Sequence, residues 1–288
     1  MQRIQCKEEE KSTALIEEGY AIFQLLTPEH ITYLTKIFYD HHEQEPDGFY
    51  ASTHIQDKVL RKTLSDHIRK VIAPVAPSIF LNIEVLGGAF IAKAPGNKGI
   101  LPLHQDWNIV DEKQARSYNL WIPLVDVSPQ NGTMKILPKS HIKQENYRGP
   151  GIPSLFQNIT EVVDEHMLSL NMKAGEALLY DHALWHSSPK NNTDQLRLCV
   201  VLGAIPKNTP LKYYAPKENK IAEFNSNVDF FFDHDYDQGA NHLEFNQFVT
   251  HDTEPCTRDA FLEKYIGISA SAKLKKKKWF NLFSRKQK

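Results

Sequence analysis

The sequence has little cysteine and no long apolar run. Its 288 residues include three cysteines, Cys6, Cys199 and Cys256, which are far apart and form no CxxC pair. An odd and scattered set of this kind argues against a disulfide framework or a zinc ribbon. No stretch reaches the roughly 18 apolar residues that a membrane-spanning helix requires, and residues 1–12 lack the apolar core of a signal peptide. These absences predict a cytoplasmic protein.

A basic excess is also missing from most of the chain. Eight of the 34 Lys and Arg residues lie at 273–288, where there is no acid, so residues 1–272 carry 26 bases against 35 acids. An acidic body of this kind argues against nucleic-acid binding. The basic tail 273–288 also contains Trp279 and Phe280. Basic and aromatic residues together suit peripheral contact with an anionic membrane, and a solvated terminus without that role is the alternative.

Helical patterns precede a β-rich region. Residues 7–18 and 57–73 show helical spacing of apolar residues, and Thr27-Pro28 is typical of an N-cap followed by proline in the first turn. From about residue 80, short apolar or alternating runs are separated by Gly, Pro, Asn and Asp. This pattern favours a sandwich, jelly roll or barrel. We therefore expect an α+β chain that is mainly β with flanking helices.

The segment LPLHQDWNIV contains His104 and Asp106. If the backbone is extended there, the two side chains point to the same face and could bind one cation. A loop in which both residues make ordinary hydrogen bonds is the alternative, and a His-x-Asp pair alone is a weak signal.

A second segment, DHALWHSSPKNNTDQLRL, contains His186 and Arg197. A hairpin centred on residues 191–192 would place these two residues opposite each other on adjacent strands. An arginine beside a cation is useful only if an anionic ligand bridges the two. The alternative is that Arg197 pairs with Asp181 or Asp194.

Two histidines and one carboxylate with open positions form the facial triad of non-haem iron(II) oxygenases. Such a triad leaves three octahedral positions. 2-Oxoglutarate can occupy two of them and O2 the third. A bidentate arginine fork suits the distal carboxylate of 2-oxoglutarate better than a lysine does.

Three stretches together resemble the phytanoyl-CoA dioxygenase family of iron(II)- and 2-oxoglutarate-dependent oxygenases. They are AKAPGNKGILPLHQD, YNLWIPLVDVSPQNGTMKILPKSH and GEALLYDHALWHSSPKNNTDQLR, and the resemblance covers about residues 83–205. It implies a double-stranded β-helix (jelly-roll, cupin-like) core, with Fe(II) as cofactor and 2-oxoglutarate and O2 as cosubstrates. By resemblance, the iron ligands are His104, Asp106 and His186, and the residues that contact 2-oxoglutarate are Arg197, Lys93 and Asn119.

The resemblance also implies the organisation and the reaction. We expect a single oxygenase domain over residues 1–272, with a helical part at about 1–78, the jelly-roll core at about 79–206 and a mixed part at 207–272. The implied reaction is hydroxylation of an unactivated C–H bond in a small-molecule or lipid substrate, with release of succinate and CO2. A non-catalytic jelly-roll binding protein and another cupin-type metalloenzyme are the alternatives. Neither requires the oxoglutarate clamp that Arg197 and Lys93 would form.

Two departures and one rival ligand accompany the resemblance. The chain has Ser187 where the family often has a glycine after the histidine, and Lys139 in the turn PKSH where the family commonly shows PGSH. Both bear on loop shape more than on the metal. His182 is a rival ligand, but only His186 has the family's spacing to Arg197.

Overall fold

Three longer helices lie in the N-terminal part of the chain, and strands dominate the remainder. The computed structural model describes residues 1–42, 44–142, 146–230, 240, 242–250 and 254–268. The helices are α1 (Glu9–Glu17), α2 (Pro28–Asp40), α3 (Lys58–Val75), α4 (Thr160–Asp164) and α5 (Arg258–Phe261), followed by a π-helical turn at Leu262–Ile266. The strands are β1 (Tyr20–Gln24), β2 (Phe49–Ala51), β3 (Ile83–Lys93), β4 (Leu101–His104), β5 (Tyr118–Pro123), β6 (Lys135–Leu137), β7 (Leu168–Ser169), β8 (Glu176–Asp181), β9 (Trp185–Ser188), β10 (Arg197–Pro206), β11 (Lys212–Lys217), β12 (Lys220–Asn225) and β13 (Glu244–Val249).

Side-chain caps fix the starts of the two longest helices. The Thr27 hydroxyl accepts a hydrogen bond from the His30 amide at the start of α2, where Pro28 occupies the first turn. The Asp57 carboxylate accepts from the amides of Val59 and Leu60 at the start of α3. Both caps satisfy amides that lack a partner within the helix. The helices predicted from the sequence are confirmed.

Two antiparallel sheets form the centre of the fold. A six-stranded sheet has the order β1-β8-β5-β10-β3-β2, and a four-stranded sheet has the order β4-β9-β6-β7. Both sheets contribute to a buried apolar cluster that contains Trp121, Leu178 and Cys199 from the first and Ile136 from the second. The sheets therefore face each other as a jelly roll, and the predicted fold class is confirmed.

Residues along each central strand alternate between two cores. On β5, Leu120 and Ile122 belong to the cluster that also contains Leu34 of α2 and Ile68 of α3. Trp121, between them, belongs to the cluster between the two sheets. Because neighbouring side chains of a strand point to opposite faces, the helices cover the outer face of the six-stranded sheet. Its inner face is directed toward the four-stranded sheet.

The hairpin predicted to pair His186 with Arg197 is wrong. Strand β9, which holds His186, pairs with β4 and β6 in the four-stranded sheet. Strand β10, which begins at Arg197, pairs with β3 and β5 in the six-stranded sheet. The intervening turn residues carry the chain from one sheet to the other, so the two residues approach across the sandwich rather than along one ladder.

The C-terminal part adds a separate three-stranded sheet, with the order β11-β12-β13. The predicted basic tail at 273–288 lies outside the described residues, so its membrane role stays a prediction, as does the single domain over 1–272. Of the helices that the structure describes, none has the length and apolar character needed to cross a membrane.

Candidate metal centre

Two histidine rings meet on neighbouring strands of the four-stranded sheet. His104 at the end of β4 is the cross-strand partner of His186 on β9, and the ring centroids are 4.1 Å apart. The Nδ1 of His104 lies 2.8 Å from the Pro102 carbonyl oxygen, and the Nδ1 of His186 lies 2.9 Å from the Leu184 carbonyl oxygen. A carbonyl oxygen only accepts, so each Nδ1 carries the proton. In the neutral form of each ring, Nε2 therefore keeps the free lone pair that metal binding requires.

The carboxylate of Asp106 lies beside these rings. Strand β4 ends at His104, and Asp106 follows it with its amide donating to the His182 carbonyl oxygen at 2.9 Å. Its Oδ2 accepts a 2.9 Å hydrogen bond from Asn119 Nδ2 and lies 3.6 Å from His186 Nε2. The side chains of His104 and Asp106 thus converge, although Asp106 lies beyond the end of the strand.

The electrostatics of the cluster favour its metal-binding protonation states. Burial opposes ionisation of Asp106, but the surrounding imidazoles and a hydrogen bond from Tyr180 outweigh it and lower its pKa to about 2. Burial, followed by the proximity of His186, lowers the pKa of His104 to about 4. At neutral pH the cluster thus holds an ionised carboxylate and a neutral His104 imidazole.

The three predicted ligands form one group. One potential ligand atom from each of His104, Asp106 and His186 lies within 4.8 Å of the others, and His182 is not part of this group. Two imidazole nitrogens and one carboxylate oxygen form the donor set of the facial triad, which suits ferrous iron. The donor chemistry therefore fits Fe(II), and the absence of a thiolate disfavours a structural zinc site.

Arg197 is buried near this cluster without a carboxylate partner. Its side chain is 3% exposed and its guanidinium lies 5.6 Å from the centroid of the Trp121 ring. Nη1 donates to the Gly132 carbonyl oxygen at 2.9 Å, and Nε is buried without a hydrogen-bond partner. No ion pair joins Arg197 to an acid within the described ranges, and Asp181 pairs with Arg116 instead.

A buried guanidinium with an unsatisfied N–H is costly unless an anion completes it. Because Arg offers a planar fork of donors, a carboxylate is the ligand that matches it. The fit to the distal carboxylate of 2-oxoglutarate therefore rests on the buried Arg197 Nε, which has no hydrogen-bond partner among the described residues.

The other two residues predicted to contact 2-oxoglutarate have different surroundings. Lys93 is the cross-strand partner of Arg197, but its ammonium donates to the backbone of Ser188 and Pro189 and to the Ser188 hydroxyl. The Asn119 amide donates to Asp106 and also to the Tyr180 hydroxyl, at 3.2 Å. Direct contact of either residue with the cosubstrate stays a prediction.

A cavity of about 250 Å³ joins the metal cluster to the arginine. We call it the clamp cavity. His104, Asp106 and His186 line it from one side, and Arg197 and Trp121 line it from the six-stranded sheet. The geometry thus brings the three predicted ligands and the predicted clamp to one cavity, although they come from two sheets.

A buried ion network behind Asp106 was not found from the sequence. Arg148 Nε donates to the Asp106 carbonyl oxygen at 2.7 Å, and the same guanidinium pairs with Glu112. Glu112 also pairs with Arg116, which forms a bidentate contact with the fully buried Asp181. The network links the ligand loop to the end of β8. Only Glu112 and Arg116 are close in sequence, four residues apart, and the other members are distant, so no local signal indicates the network.

Comparisons with known proteins agree with this geometry. The family model described as phytanoyl-CoA dioxygenase (PhyH) matches residues 9–199. No curated protein matches the chain.

Solved structures share the fold. The non-heme alpha ketoglutarate dependent carbocyclase SnoK from nogalamycin biosynthesis aligns with a TM-score of 0.51 and 16% identity, over 72% of this chain and 86% of that chain. The non-heme alpha ketoglutarate dependent epimerase SnoN, from the same biosynthesis, aligns with a TM-score of 0.52 and 18% identity, over 85% of this chain and 96% of that chain. SnoN in complex with Fe3+, alpha ketoglutarate and nogalamycin RO gives a TM-score of 0.53, with the same identity and coverage. The family match spans well over half of the sequence, and the chain belongs to the phytanoyl-CoA dioxygenase family.

Proposed function

We propose that the protein is an iron(II)- and 2-oxoglutarate-dependent dioxygenase that hydroxylates an unactivated C–H bond of a small-molecule or lipid substrate. Substrate, 2-oxoglutarate and O2 would give the alcohol, succinate and CO2. The observation that carries this proposal is the buried Arg197. It has no acidic partner among the described residues and shares a cavity with His104, Asp106 and His186.

The chain's own groups have defined tasks in this reaction. His104, Asp106 and His186 would hold Fe(II), which together with 2-oxoglutarate and O2 would supply oxidation of the C–H bond. The Nδ1–H bonds to backbone carbonyls keep both imidazoles in the ligating tautomer. The Asn119 amide donates to Asp106 Oδ2 and so fixes the orientation of the carboxylate beside the two imidazoles.

Arg197 orients the cosubstrate. Its fork would bind the distal carboxylate, and the face of Trp121 supports the guanidinium. A fixed anchor for one carboxylate would restrict the orientation of the cosubstrate, so binding energy would be converted into alignment. Apolar side chains of Ile91, Met134 and Val201 complete the cavity wall and limit access of water.

The test is an anaerobic titration of the full-length protein with Fe(II) and then 2-oxoglutarate. We expect a weak visible metal-to-ligand charge-transfer band in the wild type and none in Arg197→Met. The matched control is Arg69→Met, the same substitution at an exposed position of α3. Retention of the band in Arg197→Met, or its absence from the wild type, contradicts the proposal. Succinate formation with a substrate library, with gain of one oxygen atom in the product, then tests hydroxylation itself.

A further inference from the structure

A second and larger cavity adjoins the metal cluster. It has a volume of about 580 Å³, and we call it the large cavity. His104, Asp106 and Asn119 line both cavities, whereas Arg197 lines only the clamp cavity. A molecule in the large cavity therefore reaches the metal cluster without displacing the ligand of Arg197. Its volume is within the usual range for small-molecule sites.

Small residues create this space. The inward-facing positions of β10 are Arg197, Cys199, Val201 and Gly203, because alternate residues of a strand share a face. Val201 and Gly203 line the large cavity, and Gly203 has no side chain to occupy it. A Cβ added at Gly203 would lie 3.3 Å from Leu86 Cδ1 and 3.8 Å from Ile109 Cδ1, with no backbone atom as close. A larger side chain there would fill the cavity rather than break the strand.

The wall of the large cavity carries almost no charge. Among the described residues that line it, Asp106 is the one acidic side chain, and there is no lysine or arginine. Leu86, Ile109 and Val228 give it an apolar wall. Phosphate and carboxylate groups require cationic partners or backbone donors when they leave water. The described wall therefore disfavours an anionic substrate.

One polar atom in this wall lacks a partner. His182 is 4% exposed and lines the large cavity. Its Nδ1 lies 3.0 Å from the Ser117 hydroxyl, while its Nε2 is buried without a hydrogen-bond partner. Buried polar groups normally have partners, so an orphan at a cavity wall indicates that a ligand supplies one. Neither metal binding nor the arginine clamp uses this atom.

We propose that the large cavity binds an uncharged, mainly apolar substrate, and that a hydroxyl or carbonyl group of this substrate hydrogen-bonds His182 Nε2. This assignment rests on the proposed function, because it takes the clamp cavity as the 2-oxoglutarate site. It makes His182 and Gly203 specificity-determining residues. It predicts that a free fatty acid or an acyl-CoA binds less tightly than an uncharged compound of the same chain length.

A matched set of octyl compounds tests the proposal by isothermal titration calorimetry. The full-length protein is loaded with Fe(II) and 2-oxoglutarate without oxygen and titrated with 1-octanol, octanoate and octanoyl-CoA. We expect saturable binding of 1-octanol and at least about tenfold weaker binding of both anionic compounds. Loss of one hydrogen bond in His182→Phe should weaken 1-octanol binding about tenfold. Gly203→Leu should weaken it further by filling the cavity.

The same samples separate this proposal from the proposed function, because 2-oxoglutarate affinity is measured first. We expect that affinity to be unchanged in Gly203→Leu, which lies on the large cavity alone. If 2-oxoglutarate binds but 1-octanol does not, or the anionic compounds bind equally well, the uncharged-substrate assignment is overturned and the proposed function stands. Equal 1-octanol affinity in the wild type, His182→Phe and Gly203→Leu also overturns it. If 2-oxoglutarate does not bind the iron-loaded wild type, both proposals fail together.

Discussion

Replacement of Arg197 by methionine should weaken 2-oxoglutarate binding without strongly lowering the free energy of unfolding of the metal-free protein. Methionine keeps a long unbranched side chain but removes a buried charge that no described acid neutralises. Replacing even a buried ion pair by apolar residues is often neutral or stabilising by about 1–4 kcal/mol, and Arg197 has no ion-pair energy with a described acid to lose. Loss of the hydrogen bonds to Gly132 and Ser188 should lower the free energy of unfolding by about 1 kcal/mol each, which offsets that stabilisation. We therefore expect the free energy of unfolding to change by less than about 2 kcal/mol.

Arg116→Met is the matched comparison. Arg116 is also a buried arginine, but its Nε and Nη2 contact both oxygens of Asp181, whose side chain is 0% exposed. Removing one partner of such a pair leaves an uncompensated buried charge, which costs about 3–5 kcal/mol. In urea denaturation of the metal-free variants, Arg116→Met should thus show a clearly larger loss of unfolding free energy than Arg197→Met. An equal loss of stability in both would refute the view that Arg197 is held ready for an external anion.

Ligand binding gives the second half of this prediction. Loss of a buried charged partner costs about 2–5 kcal/mol, so 2-oxoglutarate affinity should fall by roughly 30-fold to several thousand-fold in Arg197→Met. At 2-oxoglutarate concentrations near 100 times its Kd, the iron-loaded wild type should gain about 2.7 kcal/mol of stability. The variant should gain less than about 1 kcal/mol at the same concentration. A full gain in the variant would show that the cosubstrate does not depend on this guanidinium.

Three further predictions concern neighbouring groups. Asp106→Asn removes the ligating charge and should lower iron content after loading at least about tenfold, as measured with a colorimetric chelator; Asp126→Asn, at an exposed acid, should not. Asn119→Leu removes the hydrogen bond that orients Asp106 and should weaken metal binding about 10- to 100-fold in a metal titration, so unchanged affinity would contradict that role. Burial and the neighbouring Arg197 lower the pKa of Lys93 to about 7. Above that pH the unfolded chain binds a proton that the folded chain does not, so stability from Lys93 should rise with pH from about 7 toward 10, by up to about 1.4 kcal/mol per unit. Lys93→Met should remove this rise in urea denaturation at pH 7.5 and 9, and identical pH slopes in both proteins would contradict it.

The sequence was sufficient to predict the candidate ligands and the general architecture. His104, Asp106 and His186 lie in stretches whose turn residues and order are characteristic of one family, and the structure brings their side chains together. The N-terminal helices follow from caps at Thr27 and Asp57, which are local signals. Local signals of this kind are read well from a single sequence because a few neighbouring residues determine them.

The pairing of β9 with β10 could not be predicted in the same way. Consecutive strands are often neighbours, and the turn between His186 and Arg197 resembles a hairpin loop. The chain instead crosses between sheets, because β9 pairs with β4 and β6 and β10 pairs with β3 and β5. Those pairings depend on segments at least 40 residues away from the turn, as the partner strands show. The residues of the turn itself contain no information about them.

The structure also accounts for the lysine in the turn PKSH, where the family pattern has a glycine. Lys139 occupies the position where a glycine is common, and its φ is 65°, in the left-handed region that favours glycine. Its amide donates to the Glu18 carbonyl oxygen at 2.9 Å, and its ammonium lies 3.0 Å from the Glu18 carboxylate. The turn thus has a backbone conformation that favours glycine, and the lysine side chain adds a contact to Glu18 at the C-cap of α1.

The metal ligands and the arginine clamp belong to different sheets, and this division has a mechanical consequence. In the proposed function one dicarboxylate spans the two sheets, and because its extended length has an upper limit, the sheets must be held within that reach of each other. That separation is determined by the residues packed between them, including Met134 and Trp121. Substitutions in this interior layer can therefore change the distance between Arg197 and the three candidate ligands, although they alter none of these four residues.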